Sequence, residues 1–161
     1  MPPTELFQAL ARVRHYDRAR FEILDLPLTE ALRVSQARVK EFKLLQVADL
    51  IDELAVSHLE LFTPCRYRLP GDSTSVITPP VVETTSRGLV MIEGHTRAFY
   101  AARQGMTHLK VIVAHDVKSA LPVEPRPFTD LRLAHETIES AANMPGNNPS
   151  LMRNIENALH P

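Results

Sequence analysis

The chain is poor in glycine, nearly devoid of cysteine and close to electrical neutrality. Its 161 residues include five glycines, Gly71, Gly88, Gly94, Gly105 and Gly146, against a usual share of about 7%. A backbone that uses glycine so sparingly puts it where the geometry demands it, and Gly88, Gly94 and Gly105 share one stretch of eighteen residues. The single cysteine, Cys65, excludes an internal disulfide, and no Cys/His spacing resembles a zinc motif. No apolar run approaches the roughly 18 residues of a membrane span. The opening residues Met1-Pro2-Pro3-Thr4-Glu5 lack the basic and apolar regions of a signal peptide. The expectation is a reduced, cytoplasmic protein with no membrane partner. Net charge is −1, with eight basic against seven acidic residues through position 50 and ten against twelve beyond it. Neither part carries the basic footprint of a strong nonspecific nucleic-acid binder. A DNA partner is therefore not favoured, although a neutral total leaves room for a local basic patch.

What is present suits one domain with a real core: 44% of residues are apolar, enough to exclude a wholly disordered chain. Residues 4–15 read as a short helix with Thr4 as its N-cap and Leu6, Leu10 and Val13 on one face. Residues 21–26 alternate only roughly before Pro27 and read as an ordered connector. A second, charged helix is expected from Thr29 towards Phe42. Residues 1–42 thus read as a helical extension packed on a main domain of residues 43–161, serving either to cover a site or to form a homodimer.

Within the main domain, Lys43–Val47 reads as a strand, and Ile51, Leu54, Ala55, His58, Leu59 and Phe62 as an amphipathic helix ended by Pro64. Residues 65–80, rich in proline, read as a surface loop. Val81 and Val82 open a hairpin that turns at Gly88 and returns through Leu89–Ile92. A helix follows from Gly94 to Gly105, then a strand at Leu109–Val113. One more helix is expected around Ala134, Ile138, Ala141 and Ala142, a loop over 143–150, and a short terminal helix on Leu151, Ile155 and Leu159. The class is mixed α/β: a small mixed sheet with a hairpin, a strand–glycine–helix corner and flanking helices.

That corner, Glu93-Gly94-His95-Thr96-Arg97, carries the chemistry. A helix N-terminus offers unpaired N–H groups and partial positive charge, which favour an anion and phosphate above all. Gly94 lets a ligand approach the backbone, Arg97 brings a fork of donors, and His95 and Thr96 add a ring and a hydroxyl. The alternative is structural: Gly94 permits a tight corner, and Arg97 pairs with Glu93 or with Asp52 and Glu53.

The run from Gly88 to Asp116, GLVMIEGHTRAFYAARQGMTHLKVIVAHD, resembles the core of the ParB/sulfiredoxin-like superfamily, with its strand, G-x-x-R corner, alanine-rich helix and apolar strand. The upstream Thr78-Pro79-Pro80-Val81-Val82 is similar to the strand that precedes the family's hairpin. The resemblance implies a nucleotide-binding domain in which Gly94, His95, Thr96 and Arg97 hold the phosphates of an ATP- or CTP-type nucleotide with Mg²⁺. His95 stands where sulfiredoxins carry their catalytic cysteine, and Thr96 where ParB proteins carry an extra arginine. The GHTR form is closest to the kinase-like branch, which implies phosphotransfer to a small hydroxyl acceptor or nucleotide hydrolysis, with Glu93, Asp52 or Glu53 as the carboxylate that orients the nucleophile. The alternative within the family is a regulatory or DNA-associated module that uses the nucleotide as a switch.

Overall fold

The apolar segment Leu109–Val113, interrupted only by Lys110, lies at the heart of the fold. In the computed structural model, residues 1–57, 59–68, 71, 74–135 and 150–159 are described. The described elements are α1 (Pro3–Leu10), β1 (Arg20–Pro27), β2 (Arg33–Val34), β3 (Arg38–Lys40), α2 (Glu41–Val56), β4 (Cys65–Arg68), β5 (Thr74–Ile77), β6 (Val81–Thr85), β7 (Gly88–Glu93), α3 (His95–Arg103), β8 (His108–His115), β9 (Arg126–Pro127), β10 (Arg132–Ala134) and α4 (Ile155–Leu159). Six strands form one sheet in the order β1-β8-β6-β7-β2-β9, and β10–β3 and β4–β5 form two-stranded ribbons. The sheet is mixed: β8 runs antiparallel to β1 and parallel to β6, and β7 runs antiparallel to β6 and parallel to β2. The fold is mixed α/β.

Because side chains alternate along a strand, β8 feeds two cores. Val111 and Val113 join Leu54, Ala98 and Ala101 of α2 and α3 on one face. Ile112 and Ala114 join Leu6 and Leu10 of α1 and Ile155 and Leu159 of α4 on the other. Val82 and Val81 of β6 divide in the same way.

The unit from β6 to β8 forms as its sequence leads one to expect. The hairpin turns through Ser86 and Arg87, where Arg87 N–H donates to Thr85 Oγ1 at 3.0 Å and the Thr85 hydroxyl donates to Gly88 O at 2.9 Å. α3 ends at Arg103, and Gly105, φ +81°, follows its C-cap Gln104. There Gly105 N–H donates to Ala102 O and Met106 N–H to Ala101 O, the paired bonds of a left-handed C-terminal cap.

Elsewhere tertiary pairing overrides local pattern. α1 starts at Pro3 with Pro2 as its N-cap, so Thr4 lies inside the helix, and it stops at Leu10. Val13 reaches the core through the turn that follows. Residues 21–26, read as a connector, lie within β1, an eight-residue strand on the sheet edge supported along its length by β8. The helix expected from Thr29 is absent. A turn at Thr29–Leu32 leads into β2 and β3, in which Leu32, Val34 and Val39 are buried. Residues 1–42 therefore contribute one helix and three strands, two of them in the central sheet, and are not a helical extension. Lys43–Val47 is not a strand but the start of α2, where Leu44, Val47, Leu50, Ile51 and Leu54 repeat at helical spacing against the sheet. That helix stops at Val56, and Phe62 packs into the core from a turn with φ +58°. The loop expected over 65–80 contains the ribbon β4–β5. α4 begins at Ile155, with Leu151 in the preceding turn. His58, residues 143–149 of the loop expected over 143–150, and Ile138, Ala141 and Ala142 of the expected helix lie outside the described residues; Ala134 closes β10. No helix among the described residues is long and apolar enough to cross a membrane.

Candidate functional site

β7 delivers the chain to the corner, and Gly94 turns it in a left-handed conformation, φ +89° and ψ +19°, as the N-cap of α3. A Cβ built on Gly94 would stand 2.7 Å from both Cα and Cβ of Pro80. Pro80 cannot yield readily, because its carbonyl accepts Ile112 N–H of the central strand at 2.8 Å. Position 94 therefore needs glycine for both its dihedral and its proximity to Pro80. Among the described residues no side chain caps α3, so the N–H groups of its first turn keep their capacity for an external acceptor.

The next three residues face different surroundings. His95 is 5% exposed. Its Nε2–H donates to Met91 O at 3.1 Å, with Ser35 Oγ a further 3.4 Å contact. Since a carbonyl only accepts, the neutral ring carries its proton on Nε2. Burial, helped by the charge of Arg97, lowers the His95 pKa to about 4. The imidazole thus fastens the corner to β7 and β2. It is not the titratable ligand-facing ring expected from sequence, and His95 can serve a ligand through its backbone. Thr96 is half-buried and lines the cavity beside the corner.

Arg97 is the unusual member. Its side chain is 19% exposed, and its nearest carboxylate oxygen, Glu93 Oε1, lies 3.7 Å from Nη2, beyond ordinary hydrogen-bond length. Its Nε is buried with no hydrogen-bond partner among the described residues. Burial lowers the Arg97 pKa, opposed by Glu93, Tyr67 and Glu156. A guanidinium remains charged even so, and an unmet donor in such a place is expensive unless something accepts from it.

The cavity beside the corner has a volume of about 370 Å³ and is lined by Glu93, Gly94, His95, Thr96 and Arg97 together. That size lies within the roughly 300–1,000 Å³ of small-molecule sites. α2 contributes Lys43 and Gln46 with Val47 and Leu50 behind them, the β4–β5 ribbon contributes Tyr67, and α4 closes one side with Ile155, Glu156 and Leu159. Asp52 and Glu53, expected as alternative carboxylates, are exposed on α2 and do not line it. Neither Phe99 nor Tyr100 lines it; Phe99 packs on the core with the Arg103 guanidinium 5.8 Å above its ring. Cys65 is half-buried, and burial raises its thiol pKa, the opposite of an activated thiol.

Lys43, Gln46 and Glu156 are missing from the sequence-derived site. The first two share a helix face with Val47 and Leu50, a signal hidden once residues 43–47 are taken as a strand. Glu156 arrives from more than fifty residues downstream, and no local pattern announces it. Among the described residues, no three His, Cys, Asp or Glu side chains gather to hold a metal ion. Compared with protein-family models, curated proteins and solved structures, the chain matches none of them.

Proposed function

We propose that this cavity binds a phosphate-bearing nucleotide, with the polyphosphate at the N-terminus of α3. One observation carries the reading: the Arg97 guanidinium is largely buried beside an uncapped helix N-terminus, with its Nε unpartnered. A phosphate oxygen would accept from Nε and from the first-turn N–H groups at once. Lys43 would add a second positive charge from across the cavity. The fold assignment that accompanies this reading is ParB/sulfiredoxin-like, supported by the strand–GHTR–helix–strand unit, and the compartment it suits is the cytoplasm.

In the catalytic form of the reading, the bound ATP-type nucleotide gives its terminal phosphoryl group to a small hydroxyl acceptor or to water, with Glu93 orienting the nucleophile. Mg²⁺ suits such a cavity, because it is commonly held by one or two carboxylates together with substrate phosphates, and Glu93 and Glu156 both line the wall. When bound, it would neutralise phosphate charge. A second reading, a nucleotide-responsive module without turnover, is favoured by the position of Glu93, whose carboxylate lies 3.7 Å from the guanidinium that would hold the phosphate.

Calorimetric titration of the full chain with ATP, ADP and CTP in Mg²⁺, repeated on Arg97→Ala, tests the proposal. Loss of a charge-assisted contact worth about 1.5–3 kcal/mol should weaken binding roughly 10- to 150-fold. Absence of binding by all three nucleotides removes the reading, and binding that survives Arg97→Ala moves the site elsewhere. Binding with phosphate release or acceptor phosphorylation selects the catalytic form, and binding without either selects the switch.

A further inference from the structure

A second concavity, of about 430 Å³, lies on the far side of α4. α4 is the shared wall: Ile155, Glu156 and Leu159 face the corner cavity, while Asn157 and Ala158, with Asn154 just before the helix, face this groove. Arg12, Val13, Arg14, His15 and Arg153 also line it. Among the described residues, no Asp or Glu side chain lines it.

The charges here are unevenly satisfied. Arg153 is neutralised, because its Nε and Nη2 donate to the Glu83 carboxylate at 2.8 and 3.0 Å in a pair whose side chains are each 1% exposed. Arg12 and Arg14 are exposed and face no carboxylate partner within ion-pair distance among the described residues, whereas nearby Arg18 and Arg20 pair with Asp17 and Asp116. His15, whose Nδ1 lies 3.0 Å from Ser119 Oγ, registers this field. Its pKa is lowered by burial and then by Arg153 and Arg14, with Glu83 acting the other way. The groove thus joins two guanidiniums that have no carboxylate partner among the described residues to two side-chain amides, a donor set suited to phosphate oxygens.

We propose that the groove bounded by Arg12, Arg14, Asn154 and Asn157 is a second anion site, which takes a small phosphate-bearing molecule. It is independent of the nucleotide reading, since Arg97 and the α3 N-terminus play no part in it. Through α4, its occupant would touch the reverse face of the corner cavity's wall.

The test is a titration of the full chain with inorganic pyrophosphate, followed by NMR of the His15 ring and the Asn154 and Asn157 side-chain amides, on the wild type, Arg12→Gln/Arg14→Gln and Arg97→Ala. The expected result is saturable shifts at these three residues, affinity weakened about tenfold or more in the double variant and unchanged in Arg97→Ala. An added anion should also raise the His15 titration midpoint. Both arginines are exposed, so the double variant should retain the wild-type circular dichroism spectrum. Shifts confined to residues 93–97, shifts indifferent to the double variant, or no saturation would each overturn the proposal. So would preferential, steeply salt-dependent binding of a short DNA duplex, which would identify a phosphodiester surface in place of a small-anion site.

Discussion

Replacing Gly94 by alanine puts a number on the corner. The left-handed φ of +89° costs a residue with a Cβ about 1–2 kcal/mol. The new methyl would stand 2.7 Å from Pro80 Cα, and overpacking of a fixed interior typically adds about 1–3 kcal/mol. Gly88→Ala is the matched control: its φ is +90°, but nothing lies within 4 Å of the added Cβ. The gain from a stiffer unfolded chain, about 0.4–1 kcal/mol, is common to both and cancels in the comparison. Gly94→Ala should therefore fall below Gly88→Ala by about 1–3 kcal/mol, or roughly 2–12 °C in melting temperature for a domain of this size. Thermal unfolding followed by circular dichroism, with calorimetric enthalpies, measures the difference. Equal losses in the two variants would refute the claim that Pro80, held to β8, makes glycine obligatory at position 94.

The buried rings and ion pairs give further expectations. His95, with a folded pKa of about 4 against roughly 6.5 unfolded, binds its proton more weakly when folded. Its contribution is present above pH 6.5 and lost as pH falls towards 4; it amounts to about 3 kcal/mol by linkage. NMR titration should show the ring still neutral at pH 5.5, and a midpoint near 6.5 would overturn its burial. Removing one partner of the Glu83–Arg153 pair, as in Glu83→Ala, should cost about 3–5 kcal/mol in urea unfolding at pH 7, because an unpaired charge stays buried. The apolar double replacement Glu83→Leu/Arg153→Met should recover much of that loss, and no recovery would mean that the pair's contacts to Ala120 O and Leu151 O matter more than its charges.

The β6–β7–α3–β8 unit was legible because local chemistry and tertiary role agree there. Glycines sit at both turns and at the helix end, the helix is alanine-rich, and the strand that follows is apolar on both faces. Reading failed where a segment takes its structure from a distant partner. Residues 20–27 alternate poorly because they lie on an edge, with β8 on one side only. Residues 33–40 contain charged residues typical of a solvated helix, yet pair with β7, β9 and β10 far along the chain. The β4–β5 ribbon was concealed by loop-like composition around it.

The site divides along the same line. From Glu93, Gly94, Thr96 and Arg97 alone one can argue for a helix N-terminus with a cation in its first turn and a carboxylate just before its N-cap, since that depends on residues close together in the chain. Whether Arg97 is exposed or buried, whether the His95 ring faces a ligand or the core, and which carboxylates share the cavity depend on α2, β4 and α4 closing around the corner. The sparse glycines by themselves determined where the backbone must turn, because a positive φ is a local demand. Only the packing of Pro80 against Gly94 and of α4 against the cavity decided what those turns enclose, because burial is set by chain segments that meet only in three dimensions.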